Sequence, residues 1–222
     1  MDEDREFDRQ DDFDDDPYER IDIAAGSFPG PRFMAWPVAG NPGGILNFSE
    51  YPEWRAMFLS FTLHTAVPRI VTTKFTRALK LHLLAWIDAD LLKAGELVGW
   101  TALELALSDV YKGVILNHRQ LKAAQLGSTF SKKVTLAEML RYMVTDDGLT
   151  DSQIGLVRRS GGSVIDRVSG RQRPALNHLR NDLAHGYPFD GWPQSGLIEL
   201  LRDLIEYSYR DRISPMKAGA RI

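Results

Sequence analysis

The sequence predicts an all-α domain with an irregular N-terminal arm and an acidic tail. Three observations lead there. From residue 51 onward, almost every periodic segment repeats its apolar residues at the helical spacing of three and four positions. Turn-forming Gly and Pro gather in residues 21–50, ahead of those segments. A chain of 222 residues, 44% of them hydrophobic, can also bury a sizeable core without staples.

Residues 1–20 are of low complexity and are expected to be disordered. Residues 1–22 hold nine Asp, three Glu and three Arg, a net −9, against a chain total of −3. The remaining body is therefore basic, by about +6, and suits a polyanionic partner. The tail is either a solvated appendage or a competitor of nucleic acid for the basic surface. Residues 21–50 read as an irregular arm. Its turns, Phe28-Pro29-Gly30-Pro31 and Gly40-Asn41-Pro42-Gly43-Gly44, flank the apolar piece Phe33 to Val38, which would pack its aromatics on the body in a strand or two. Gly43 and Gly44 do not form a phosphate loop, since no Gly-Lys-Ser/Thr follows.

Residues 51–222 form the helical body. Its first helix starts near Tyr51-Pro52, and Pro68 interrupts the pattern. Phe75, Leu79, Leu83 and Trp86 predict a long helix over about 72–96. A second, over about 98–115, carries the stripe Trp100, Leu103, Leu107, Val110 and Val114, with Glu104, Ser108 and Tyr111 beside it. Thr135 caps a helix through Tyr142, ended by Asp147-Gly148, and Ser152 to Val157 make a short turn. Residues 158–173 are the most arginine-rich region, with Arg158, Arg159, Arg167, Arg171 and Arg173 against the single acid Asp166. These arginines are candidates for gripping a phosphate backbone, or else a solvated loop. Pro174 suits the first turn of the next helix, and a last helix spans about 195–210.

Cysteine is absent, which excludes disulfides, thiolate catalysis and a cysteine-ligated zinc site. The N-terminus is acidic where a secretory signal would be basic and then apolar, and no apolar stretch is long enough to span a bilayer. A cytoplasmic protein without a membrane partner or cofactor is expected.

The chemistry concentrates in Arg180-Asn181-Asp182-Leu183-Ala184-His185-Gly186. Leu176 and Leu179 lead in with helical spacing, and Gly186-Tyr187-Pro188 stops the helix. His185 therefore ends the helix beside unpaired carbonyls, which favour its protonated form. A permanent cation and an imidazole near neutral pH suit phosphodiester chemistry: one stabilises charge on phosphate, the other moves a proton. Arg180 and His185 lie about 140° apart around the axis, on opposite flanks of the Leu176, Leu179, Leu183 stripe. A second copy of the helix across a two-fold axis would bring both groups to one phosphate. Structural roles stand beside these: His185 as a helix-ending hydrogen-bonder, Arg180 in a surface ion pair, Asn181 facing solvent. His178, Asp182 and His185 at i, i+4 and i+7 could ligate zinc, but that leaves Arg180 beside a cation without purpose, so no metal site is assigned. Ser163 has neither a nucleophile-elbow context nor a base at hand.

An Arg followed by Asn, three further residues and His, closing an all-helical domain, resembles the HEPN superfamily (higher eukaryotes and prokaryotes nucleotide-binding). The resemblance covers roughly residues 69–212, with Trp100 to Ala106 matching an earlier core helix and Leu197 to Tyr209 the final one. It implies a HEPN-like helical bundle and a metal-independent endoribonuclease, with toxin or defence effector among the roles it opens. It further implies RNA as substrate, a homodimer with both motifs at the interface, and an antitoxin or regulatory protein as partner. Arg180 and His185 would be catalytic, with Asn181 and Glu104 positioning them. The alternative is a non-catalytic helical module that binds nucleic acid or a protein.

Overall fold

The computed structural model describes residues 16–28, 33–186 and 193–219. The fold is mostly helical, 63% helix, with ten helices and one two-stranded sheet among the described residues. Most of the acidic tail, including residues 1–15, lies outside the described residues.

The arm contains more regular structure than the turn signals indicate. Helix α1 (Glu19–Gly26) precedes a hairpin of β1 (Met34–Pro37) and β2 (Ile45–Phe48), antiparallel with Met34 opposite Phe48. The expected limit of the tail at residue 20 is too late. Tyr18 and Ile21 are buried, and Asp22 is held by Arg55 at 2.8 Å and by the Tyr51 hydroxyl at 2.6 Å. The sequence obscures this because the anchoring Asp22 reads as one more acid of the run. The hairpin turn carries Gly40 at φ +73°, where a Cβ would sit 2.5 Å from the Ser160 carbonyl oxygen, so only glycine fits. Trp36 of β1 then meets Trp54 and Phe58 edge-on, with ring centroids 5.8 and 5.1 Å away. Both belong to α2 (Tyr51–Leu59), and edge-to-face packing of this kind adds to the area buried.

The expected helix over 72–96 is two helices. Helix α3 (Arg69–Leu84) stops, and α4 (Leu91–Leu126) begins after a short turn. Asp88 makes the break, its side chain accepting from the Asp90 amide at 3.1 Å. Apolar spacing conceals it, because buried Trp86 and Leu92 keep supplying core on either side. The expected helix over 98–115 is the middle of α4, 36 residues and about 54 Å long. Its buried stripe turns from Trp100, Leu103 and Leu107 to Tyr111 and Ile115, leaving Val114 exposed. Where α3 crosses α4, a Cβ on Gly95 would lie 2.5 Å from Nδ1 of His82, so the close approach requires glycine. His82 is fully buried, its Nδ1 donating to the Ala78 carbonyl at 2.8 Å.

Helix α4 is the spine of the domain. Besides α3 it packs against α5 (Leu136–Thr145), α8 (Leu176–Ala184) and α9 (Leu197–Ser208). Thr135 caps α5 in a capping box with Glu138, as its position ahead of the apolar run predicts. Between α5 and α8 lie a single 3-10 turn (Asp151–Gln153), α6 (Gly155–Ser160) and α7 (Ile165–Ser169). Helix α9 turns Leu197, Leu200, Leu201, Leu204 and Ile205 into the core, and α10 (Arg210–Gly219) follows it. None of the described helices is long and apolar enough to cross a membrane.

Candidate functional site

Helix α8 places the motif. Its apolar face sets its rotation: Leu176 is buried, and Leu179 and Leu183 pack half-buried on the core. Arg180 then falls at the contact between α8 and α4. Its Nη2 donates to Oε2 of Glu104 at 3.1 Å, and its Nη1 to Oδ1 of Asn181 at 3.4 Å. About a third of each charged side chain remains exposed, 33% for Arg180 and 39% for Glu104. The guanidinium has five N–H groups in a fixed fork, so donors remain for a second acceptor.

His185 is the C-terminal cap of α8, its amide donating to the Asn181 carbonyl at 2.9 Å. Gly186 follows at φ +70°, the left-handed turn that ends a helix most cheaply with glycine. Tyr187 and Pro188, the rest of the expected stop, lie outside the described residues. The imidazole is exposed beside the last turn. Asn181 and Asp182 are exposed too. Glu104, Arg180 and Asn181 thus form one hydrogen-bonded set, and His185 stands one turn beyond it.

The five arginines of residues 158–173 have different surroundings. Arg159 pairs with Glu199 at 2.9 Å, and Arg167 donates to the Pro174 carbonyl at 3.2 Å. Arg158, Arg171 and Arg173 are exposed. Pro174 itself precedes the Ala175 cap of α8 and lies outside its first turn. Among the described residues no group of three or more His, Asp or Glu side chains is gathered as a metal ion would need.

Tyr111, beside Glu104 on α4, is buried as an aromatic of the core edge. Its hydroxyl donates to Asp147 at 2.6 Å, and Arg210 grips the same carboxylate through bonds of 2.8 and 2.7 Å. Burial, reinforced by the bond to Asp147, raises the pKa of this phenol, so it keeps its proton. Asp147 reads in the sequence only as a helix stop, and nothing near it signals the pairing with Arg210. Glu96 likewise gives no sign of its role. It is buried in α4, binds Lys93 at 2.9 Å and accepts from the Gln194 amide at 2.7 Å. It thereby ties the chain just ahead of α9 to the spine.

Arg141 of α5 is a further residue that the sequence does not single out. It lines a small pocket beside the start of α8 together with Arg173, Asn177 and His178. A lone cation on the polar face of an amphipathic helix carries no local signal.

Comparison of the chain with protein-family models, with characterised proteins and with solved structures returned no match.

Proposed function

We propose that this chain is a metal-independent endoribonuclease of HEPN type. The observation that carries the proposal is Arg180, steered by Glu104 while keeping free donors, on the helix that ends in exposed His185. RNA supplies its own nucleophile. His185 as general base takes the proton of the 2′-hydroxyl, whose oxygen attacks the neighbouring phosphorus. Arg180 stabilises the added negative charge on the phosphate oxygens. The bond to the 5′-oxygen breaks, and that oxygen leaves with a proton from an imidazolium. The products carry a 2′,3′-cyclic phosphate and a 5′-hydroxyl. This route calls on no metal ion, since nucleophile, base and electrophilic cation are all accounted for.

One imidazolium and one base are needed at the same phosphate. A two-fold pair of α8 helices supplies both, and also compensates for the flanking positions of Arg180 and His185. The active species is therefore a homodimer. A light-scattering mass of one chain, 25.1 kDa, under conditions of activity would exclude it.

A second function is favoured by one feature of the same site. The Arg180–Glu104 pair already satisfies part of the guanidinium, as in a helical module that binds nucleic acid or protein without cleaving it. Incubation of purified protein with mixed RNA in chelator separates the two. Cleavage that disappears in the Arg180→Ala, His185→Ala double variant supports the nuclease. RNA binding without cleavage in either protein supports the module.

A further inference from the structure

The pocket beside the start of α8 has the chemistry of an anion site. It has a volume of about 150 Å³ and opens where α5, the end of α7 and the first turn of α8 meet. Arg141 enters from α5, Arg173 from the loop before α8, and Asn177 and His178 from α8 itself. No carboxylate lines it. Arg55, Arg119, Arg159, Arg180, Arg202 and Arg210 hold carboxylates, while other described arginines, Arg158 and Arg171 among them, do not. Arg141 and Arg173 make no ion pair with a described residue. Arg141 and Arg173 are both exposed and line one recess without a carboxylate, so their charges favour an anion there. The Ala175 cap of α8 offers no side-chain oxygen, so the first amides of the helix add to the positive potential.

The geometry points to a subsite for one phosphate of the RNA backbone, remote from the bond that is cut. This rests on RNA being the ligand of the function proposed above. The volume lies well below the roughly 300–1,000 Å³ of clefts for small organic ligands, so the recess takes a phosphate and not a nucleoside. Guanidinium forks suit the oxygens of a phosphodiester, and Asn177 and His178 can donate to the same group. His178 shares a face of α8 with His185, seven positions and about 10 Å further along the helix. A strand seated in the pocket thus runs along α8 towards the imidazole. Phosphate contacts of this kind set register and carry no base information.

The test uses the full chain with His185→Ala, so that binding is read without cleavage. Fluorescence anisotropy of a labelled oligouridylate is followed over a salt series for three proteins. These are the His185→Ala chain, the same with Arg141→Gln and Arg173→Gln, and a charge-matched control with Lys112→Gln and Lys122→Gln on exposed α4. The arginine pair should weaken binding about tenfold or more, as loss of charged hydrogen bonds does. It should also lower the slope of log K against log salt by about 0.7, the share of one phosphate on a single strand. The control should stay close to the parent. Equal losses in both, or none in the arginine variant, overturn the subsite.

A second arm separates this subsite from the ribonuclease function. Inorganic phosphate is titrated against the parent while the His178 ring resonances are followed by NMR. Shifts that vanish in the arginine variant support the pocket as a phosphate site, even if the oligouridylate does not bind and RNA falls as its source. An unmoved His178 overturns the pocket, whatever the cleavage assay returns.

Discussion

Arg180 and Glu104 meet at 3.1 Å across 76 positions of sequence, joining the motif helix to the spine of the domain. Both side chains are partly in water, so the pair contributes little to stability, about 1 kcal/mol or less. In the nuclease proposed above its value lies in aim. Glu104→Gln should leave the melting temperature within a degree or two of the parent while lowering kcat for RNA cleavage, with KM less affected. A large loss of stability with unchanged kcat would make the pair structural only.

His185→Ala should reduce cleavage by about 10²–10⁴, the usual contribution of a general acid-base group. The side chain is exposed at a helix end, so circular dichroism and melting should barely change. A variant that cuts RNA as fast as the parent would remove His185 from the mechanism.

His82 predicts an acid-side loss of stability. Burial pushes its pKa down from 6.5 to about 4. The native state therefore holds the ring neutral while the unfolded chain protonates below pH 6.5. Stability from this group is full above that value and falls as pH drops towards 4, by at most about 3 kcal/mol. Urea unfolding across this range should show a steeper loss for the parent than for His82→Gln. Parallel curves would mean that the ring is already protonated in the fold.

Two glycines of α4 should respond oppositely to alanine. At Gly95 the new methyl group would overlap the His82 ring, and overpacking of this sort costs roughly 1–3 kcal/mol. At Gly113 nothing lies within 4 Å, so alanine should stabilise the helix by about 0.5–1 kcal/mol. Thermal melts of the two variants should move in opposite directions.

Helical class and the end of α8 are legible because each has a local cause. Apolar spacing records which face meets the core, and His185-Gly186 records where a helix must stop. The capping box at Thr135 and Glu138 is local in the same sense. The break at Asp88 escapes because a turn of a few residues leaves the apolar rhythm intact. Arg141, Asp147 and Glu96 escape for another reason. Their partners lie far away in sequence or, for Arg141, in a recess formed by three separate elements. Glu104 lies between the two cases: its helix position follows from the stripe beside it, but its guanidinium partner follows only from the packing of α8 on α4.

The two carboxylates of α4 give the helix a further use. Glu104 holds Arg180, and two turns earlier, about 12 Å along the same rod, Glu96 holds the Gln194 amide. The stretch from 180 to 194 is thus moored at both ends to a single rigid ruler. Loop-closure entropy grows slowly, about 0.6 kcal/mol for each doubling of length. Residues inserted between His185 and Gln194 would therefore cost the domain little and leave Arg180 where it is. Evolution could change the sequence between these two anchors while the guanidinium and its carboxylate stay in register.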